Sequence, residues 1–298
     1  MIYQQPLAYL LGVEGLALLR AWAGDEDFGE SFVRERLTAA RSLLNDAELA
    51  SHPGVLIERE ATESAYAQWA STYDSEDNGL FYLDEPLITA LVAELPKGRA
   101  VDAACGTGRL AAKLAALGFH TTGVDSSPAM LERAEGHCAD VTFVGGELTA
   151  LPLPSDDTDL VVTGLALTHV ADLAPAYAEF ARVLAPGGDL VVSDVHEGLV
   201  FLGSVVKGTG PDGRPQLAST TRHSTADHLV AALAAGFTVL SYQETPRPTT
   251  PTEPLPEPTR EIGDWRVWPW TLMGFDPAAT RAAWNTPAIA VWHFRLAC

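Results

Sequence analysis

RAVDAACGTGRLAAKLAALGFHTTGVDSSPAML, residues 99–131, reads as strand, glycine-bearing turn, helix, strand and acid. An apolar entry segment ends at Asp102. The turn Cys105-Gly106-Thr107-Gly108 then leads into an alanine- and leucine-rich run with helical spacing through Leu117. Glycine belongs where a backbone turns sharply or lies against a ligand. Gly118 stops the helix, Thr121 to Val124 form a second short strand, and Asp125 sits at its carboxyl end, 17 residues after Gly108. In a doubly wound sheet an acid at that place can accept hydrogen bonds from both hydroxyls of a ribose. The chain order therefore predicts a nucleotide-shaped ligand. The dinucleotide fingerprint G-x-G-x-x-G is absent, because Ala111 holds the third glycine position and Asp102 stands before the turn. An acid there repels a pyrophosphate, which argues against a nicotinamide dehydrogenase.

The same acid suits a ligand with an ammonium group and a sulfonium, and S-adenosylmethionine fits both carboxylates. VDAACGTGRLA resembles the first motif of the class I S-adenosylmethionine-dependent methyltransferases of small-molecule type. GVDSSPAMLERA resembles their ribose-binding segment and VTFVGGELTALPLPSDDTDLVV their adenine-binding segment. GLALTHVADLAPAYAEFARVLAPGGDLVVSD resembles their fourth strand, following helix and fifth strand. The resemblance covers about residues 66–243 and implies an α/β fold with a doubly wound, mostly parallel seven-stranded sheet. Mapped by resemblance, Asp102, Ala104, Gly106 and Gly108 surround the methionine portion of the cofactor, and Asp125 takes the ribose. Ser126 and Met130 flank the adenine, Glu147 accepts from its amino group with the Leu148 amide alongside, and Leu165 lies where the fourth strand passes under the cofactor. Ala104 departs from the family's commoner glycine, and Glu147 is one methylene longer than its usual aspartate. Tyr66 or Tyr73, in ESAYAQWASTYD (63–74), closes over the methionine end; alternatively Tyr66, Trp69 and Tyr73 form the i, i+3, i+7 stripe of a plain amphipathic helix.

A chain of 298 residues, 47% apolar, can bury a full α/β core with additions. The 39 acids against 19 bases give a formal net charge of −20, which opposes binding to a phosphate backbone, so no nucleic-acid partner is expected. No apolar run unbroken over about 18 residues and no secretory leader pattern is read, so the expectation is a cytoplasmic protein without a membrane span. Cys105, Cys138 and Cys298 lack disulfide or zinc-ligand spacing. Asp156, Asp157 and Asp159 read as a solvated loop before the fourth strand, and no metal is expected.

Residues 1–62 read as an N-terminal helical region, with runs at Pro6 to Ala23 and Ser31 to Leu44, ahead of a cofactor-binding domain at 63–298. Strands are expected near 99–103, 121–125, 141–144, 158–164 and 188–194, with LAPGGDL as the turn before the fifth. A helix from Thr225 to Ala235 leads to a sixth strand, Phe237 to Tyr242. Ala288 to Leu296 is the last strand, antiparallel by resemblance. The long connection at 243–287 is proline-rich and then carries Trp265, Trp268, Trp270 and Phe275. It reads as a wall of the substrate pocket or a homodimer contact, the alternative being a satellite core.

Methyl transfer is an in-line displacement that asks mainly for alignment and water exclusion. Candidates for taking a proton from the acceptor are His169 and His196, which follow the fourth and fifth strands, and His223. Asp194 is a further candidate, while His228 and His52 read as surface positions. The leading expectation is methyl transfer to a small molecule, such as a secondary metabolite. A non-methylating reaction on the same cofactor (decarboxylation, hydroxylation or cyclisation) and a binding protein without chemistry are the alternatives.

Overall fold

The computed structural model describes residues 1–25, 28–60, 65–66, 73, 80–203, 206–210, 212–246, 257, 259, 265 and 268–298. Among them the strands run, in chain order, β1 (Ile2–Gln4), β2 (Val55–Glu60), β3 (Arg99–Ala103), β4 (His120–Asp125), β5 (Thr142–Gly145), β6 (Thr158–Gly164), β7 (Leu184–Val195), β8 (Lys207–Thr209), β9 (Pro215–Ala218), β10 (Phe237–Pro246) and β11 (Pro287–Leu296). Contacts divide the chain into two compact units.

One unit comprises Ala61–Val205, Ala218–Thr245 and Pro287–Cys298. Its sheet has seven strands in the order β10-β11-β7-β6-β3-β4-β5. The pairs β3–β4, β4–β5, β3–β6 and β6–β7 are parallel, and β11 runs antiparallel to β7. This is the sheet expected from the sequence, strand for strand. One local reading changes: LAPGGDL is not a turn ahead of the fifth strand but its opening. β7 starts at Leu184, which pairs with Thr158, and the register shifts before Leu160 pairs with Asp189; Gly187 takes up the irregularity at φ 80°.

Alternation along the strands feeds two cores, as the two faces of a pleated sheet require. On one face Val101, Val161, Leu190, Val192, Trp292 and Phe294 pack with Tyr177 and Phe180 of the helix Leu173–Val183 and with Ala231 and Ala232 of the helix Thr225–Ala234. On the other face Ala100, Leu160, Val162, Val191 and Val291 pack with Ile88 and Val92 of the helix Phe81–Ala93 and with Leu110 and Leu114 of the helix Arg109–Ala116. The chain moves outward from β3 to β4 and β5, then returns to β6 on the opposite side of β3. A sheet that reverses in this way opens a crevice beyond the carboxyl ends of its central strands.

The other unit gathers Met1–Glu60, Val206–Leu217 and Pro246–Thr286. The first crossing between units, at 60/61, falls two residues from the expected division at 62. The opening segment is not purely helical, and most of the 243–287 connection groups with it rather than with the sheet domain. Its four-stranded sheet runs β1-β2-β9-β8, with Ile2 opposite Ile57. Helix Pro6–Ala23 starts on a proline, is capped by the Gln5 side chain and ends at Gly24 in the left-handed region. Its Ala17 packs on Ala279 and Ala282 of the helix Pro277–Trp284. With 18 residues and a hydropathy of 1.2 it is long and apolar enough to cross a bilayer. It also carries Glu14, buried 3.3 Å from Arg36, which in turn pairs with Asp276 at 3.0 Å. The Trp265 indole donates to the Gln216 carbonyl at 3.2 Å and the Trp268 indole to Gln4 Oε1 at 3.0 Å. These two tryptophans belong to this unit's own core, the satellite-core alternative; most of the proline-rich half lies outside the described residues.

Candidate active site

A cavity of about 360 Å³ opens at the carboxyl ends of the central strands of the seven-stranded unit, within the usual range for small-molecule sites. Tyr66, Tyr73, Ala104, Gly106, Asp125, Ser126, Met130, Glu147, Leu148, Leu165 and His169, all singled out from the sequence, line it. Val124, Ser127, Gly146, Thr149, Gly164, Ala166 and Val170 line it too and were not foreseen. Trp69 lies outside the described residues.

Asp125 ends β4 facing this space. Its Oδ2 accepts from the Gly106 amide and its Oδ1 from the Ser127 amide, each at 2.8 Å. Burial pushes its carboxyl pKa up, and those two N–H groups oppose the shift. The neighbouring strand is tied in through Gly146, whose amide donates to the Asp125 carbonyl at 3.0 Å. The carboxylate is thus clamped in one orientation before any ligand arrives.

The turn after β3 is built from left-handed residues: Ala104 at φ 63°, Gly106 at φ 54° and Gly108 at φ 87°. A Cβ at Gly106 would lie 3.6 Å from the Tyr73 ring, so the tyrosine lies over this part of the turn. Leu165, where β6 ends, is also left-handed at φ 58° and donates its amide to the Ser193 carbonyl at 2.8 Å. Two non-glycine residues in this region at the rim of one cavity fit the clustering of backbone strain at functional sites. Ala104→Gly should relieve about 1–2 kcal/mol of strain and lose about 0.4–1 kcal/mol of it to the freer unfolded chain. The expected outcome is a melting temperature raised by about a degree or two in a thermal scan.

Two expected residues do not reach the cavity surface. Gly108 caps the helix Arg109–Ala116 and packs against Phe143 and Ala134. Asp102 is 1% exposed, and neither carboxylate oxygen reaches hydrogen-bond geometry with a donor among the described residues. Burial raises its pKa to about 7, opposed by the Arg109 charge. Arg109 itself grips Asp84 with two hydrogen bonds of 3.0 and 2.9 Å, and Ser193 Oγ donates to the same carboxylate at 3.1 Å. Asp84 is fully buried. This clamp joins the helix Phe81–Ala93, the helix following the turn, and β7.

The histidines separate. His169 lines the cavity, its Nδ1 3.0 Å from the Ser219 carbonyl and its Nε2 2.9 Å from the Tyr66 hydroxyl. His196 and His223 do not line it. His196 is the N-cap of the helix Glu197–Phe201, its Nδ1 accepting from the Gly198 amide at 3.0 Å, and His223 Nε2 sits 2.7 Å from the Val170 carbonyl. His228, expected at the surface, is buried: it stacks on Trp292 at 4.3 Å and meets the Tyr177 hydroxyl at 2.9 Å. Asp194 is likewise buried, 3.7 Å from His228, and does not line the cavity. The loop acids are engaged locally, Asp157 with the Arg99 guanidinium at 2.8 Å and Asp159 with the Arg99 amide at 2.8 Å.

With this geometry in place, the comparisons with known proteins converge. Residues 101–192 match the family described as a methyltransferase domain. The chain is 29% identical over 147 residues to the malonyl-[acyl-carrier protein] O-methyltransferase of Yersinia pestis, covering 49% of this chain and 54% of that protein. It is 39% identical over 108 residues to the demethylmenaquinone methyltransferase of Thermus thermophilus, covering 34% and 49%. The chain spans about half the length of the curated relatives it matches. Among solved structures, a Haloferax volcanii putative methyltransferase in complex with the Trm112 activator aligns at TM-score 0.55 and 23% identity, over 78% of this chain and 98% of that one. The [4+2]-cyclase SpnF aligns at 0.54 and 20%, over 81% and 98%. These last two likenesses concern the fold. The seven-stranded unit has the fold of the class I S-adenosylmethionine-dependent methyltransferases, and residues 101–192 within it carry the methyltransferase-domain match.

Proposed function

We propose that this protein transfers the methyl group of S-adenosylmethionine to a small-molecule acceptor. The observation that carries the reading is Asp125, fixed by two backbone amides at the mouth of a cavity whose walls are the left-handed turn after β3 and the end of β6. The residues present suit the cofactor. Asp102, a buried carboxylate eased by the Arg109 charge and the Ala111 amide, lies near the end of β3 behind the cavity wall at Ala104, and the charge of an ammonium held at that wall would favour its ionised form. Asp125 would take the ribose; Ser126, Met130, Glu147 and Leu148 would surround the adenine; Ala104, Gly106, Tyr66 and Tyr73 would border the methionine end. When bound, S-adenosylmethionine supplies a sulfonium methyl, and the bonding pair stays on sulfur as the acceptor takes it. The chain's part is to align the acceptor and keep water out, with His169 as the proton acceptor within the cavity.

Calorimetry with S-adenosylmethionine and S-adenosylhomocysteine, followed by transfer of labelled methyl to a metabolite extract, tests the reading. Binding with a labelled product supports it, and absence of binding overturns it. Turnover of an extract component with S-adenosylhomocysteine alone would instead favour a non-methylating reaction.

Cofactor capture should also move a proton. The folded carboxyl of Asp102, with a pKa near 7 against 3.8 for the free group, holds its proton more tightly than the unfolded chain does. Its contribution to stability is therefore greatest below about pH 4 and declines as pH rises towards 7. An ammonium held at the adjoining cavity wall favours the ionised form, so binding at about pH 6 should release a measurable fraction of a proton. Titrations in two buffers of different ionisation enthalpy measure this, and Asp102→Asn should abolish the release.

A further inference from the structure

Two side chains that line the cavity are joined to each other more closely than positioning a cofactor requires. His169 Nδ1 faces the Ser219 carbonyl at 3.0 Å, and a carbonyl can only accept. Nδ1 therefore carries the ring proton, Nε2 carries the lone pair, and the Tyr66 hydroxyl 2.9 Å away donates to it. The two rings meet edge to face at 5.2 Å, which fixes this geometry from the sides as well.

We infer that Tyr66 and His169 form a proton relay, and that the acceptor it serves is a neutral phenol or enol. The inference rests on the methyltransferase reading and names its substrate class. The acceptor's O–H proton passes to Tyr66 Oη while the Tyr66 proton passes to His169 Nε2, and the O–H bonding pair stays on the acceptor oxygen as the nucleophile. His169 ends as an imidazolium that gives its proton to water once the site reopens.

Three observations favour this class over others. Tyr66 takes one proton as it gives another, so the net transfer runs from the acceptor to the His169 imidazole, and a phenol, with an ordinary pKa of about 10, faces a far smaller climb on that path than a carbon acid does. A carboxylate acceptor needs no relay and would lie among Asp125 and Glu147, with no Lys or Arg among the described lining residues to pair with it. Burial keeps Tyr66 protonated and His169 neutral, the starting state that the relay requires; the groups acting on Tyr66 are Tyr73, Asp194 and Asp125, and the Ser219 carbonyl acts on His169.

The test uses the full-length chain saturated with S-adenosylhomocysteine and 4-nitrophenol as the probe, whose anion is coloured. The relay predicts that the bound phenol ionises at least one pH unit below its value in free solution. It also predicts that the His169 side-chain nitrogens shift to the imidazolium pattern in ¹⁵N spectra when the phenol is added to the unmutated protein. H169Q keeps a hydrogen-bond acceptor for Tyr66 but no basic nitrogen, and Y66F breaks the path. Both, held at saturating S-adenosylhomocysteine, should lose the ionisation shift. Phenol bound in its neutral form, or His169 unchanged, overturns the relay; failure of the phenol to bind overturns the acceptor class. Failure of S-adenosylhomocysteine to bind overturns the methyltransferase reading itself, and the relay with it.

Discussion

Truncating Asp84 to alanine is expected to destabilise the chain by about 3–5 kcal/mol, the usual result of removing one partner from a buried ion pair. The carboxylate is fully buried and holds Arg109 through two hydrogen bonds and Ser193 through a third. Without it the guanidinium, 15% exposed and 4.2 Å above the Phe81 ring, keeps Glu85 at 3.5 Å as its ion-pair contact among the described residues. That contact is partly open to solvent and cannot offset the lost pair. Denaturant unfolding measures the effect, and a loss below about 1 kcal/mol would mean that Arg109 finds water or a new partner. Since Arg109 opens the helix directly after the turn at 104–108, which is proposed to hold the cofactor, the same variant should weaken S-adenosylhomocysteine binding as well.

Asp125→Ala is expected to act in the opposite proportion, with a modest change in stability and a fall of about a hundredfold or more in affinity for S-adenosylhomocysteine. Each hydrogen bond from a ribose hydroxyl to a carboxylate contributes about 1.5–3 kcal/mol, and two are lost. The Gly106 and Ser127 amides lose their acceptor at the same time, so the turn itself loosens. Calorimetry on the variant, set beside its melting curve, separates the two contributions. Affinity within tenfold of the unmutated chain would show that Asp125 serves only the backbone.

Much of the site was legible because it is written in local chemistry. A turn needing left-handed residues at 104–108 and an acid ending the next strand are fixed by short-range backbone demands, and both stand where the pattern put them. The additional lining residues, such as Val124, Gly146 and Gly164, are neighbours of those motifs at strand ends, and reading one residue either side of each motif would have found many of them. His196 was chosen by nearness to a strand end and His223 for a stretch, TTRHSTADHL, that could fold back over the pocket, but neither placement sets a side chain's direction: one caps a helix and the other meets a carbonyl. His228 was misread although the signal was present, since His228, Ala231 and Ala232 form the i, i+3, i+4 stripe of a buried helix face. The companion unit was beyond reach because its sheet joins β1 and β2 to β8 and β9. Pairings over such separations follow no local periodicity.

The way that unit is threaded has a practical corollary. Its three segments alternate along the chain with those of the seven-stranded unit, so the polypeptide crosses from one to the other at 60/61, 205/206, 217/218, 245/246 and 286/287. Neither half can be cut out as an uninterrupted fragment. A deletion of the first 60 residues would strip β9 of one of its two neighbours, β2, and orphan the indole donor of Trp268. Grafting this protein's seven-stranded half onto another scaffold would demand splicing at several joints rather than one.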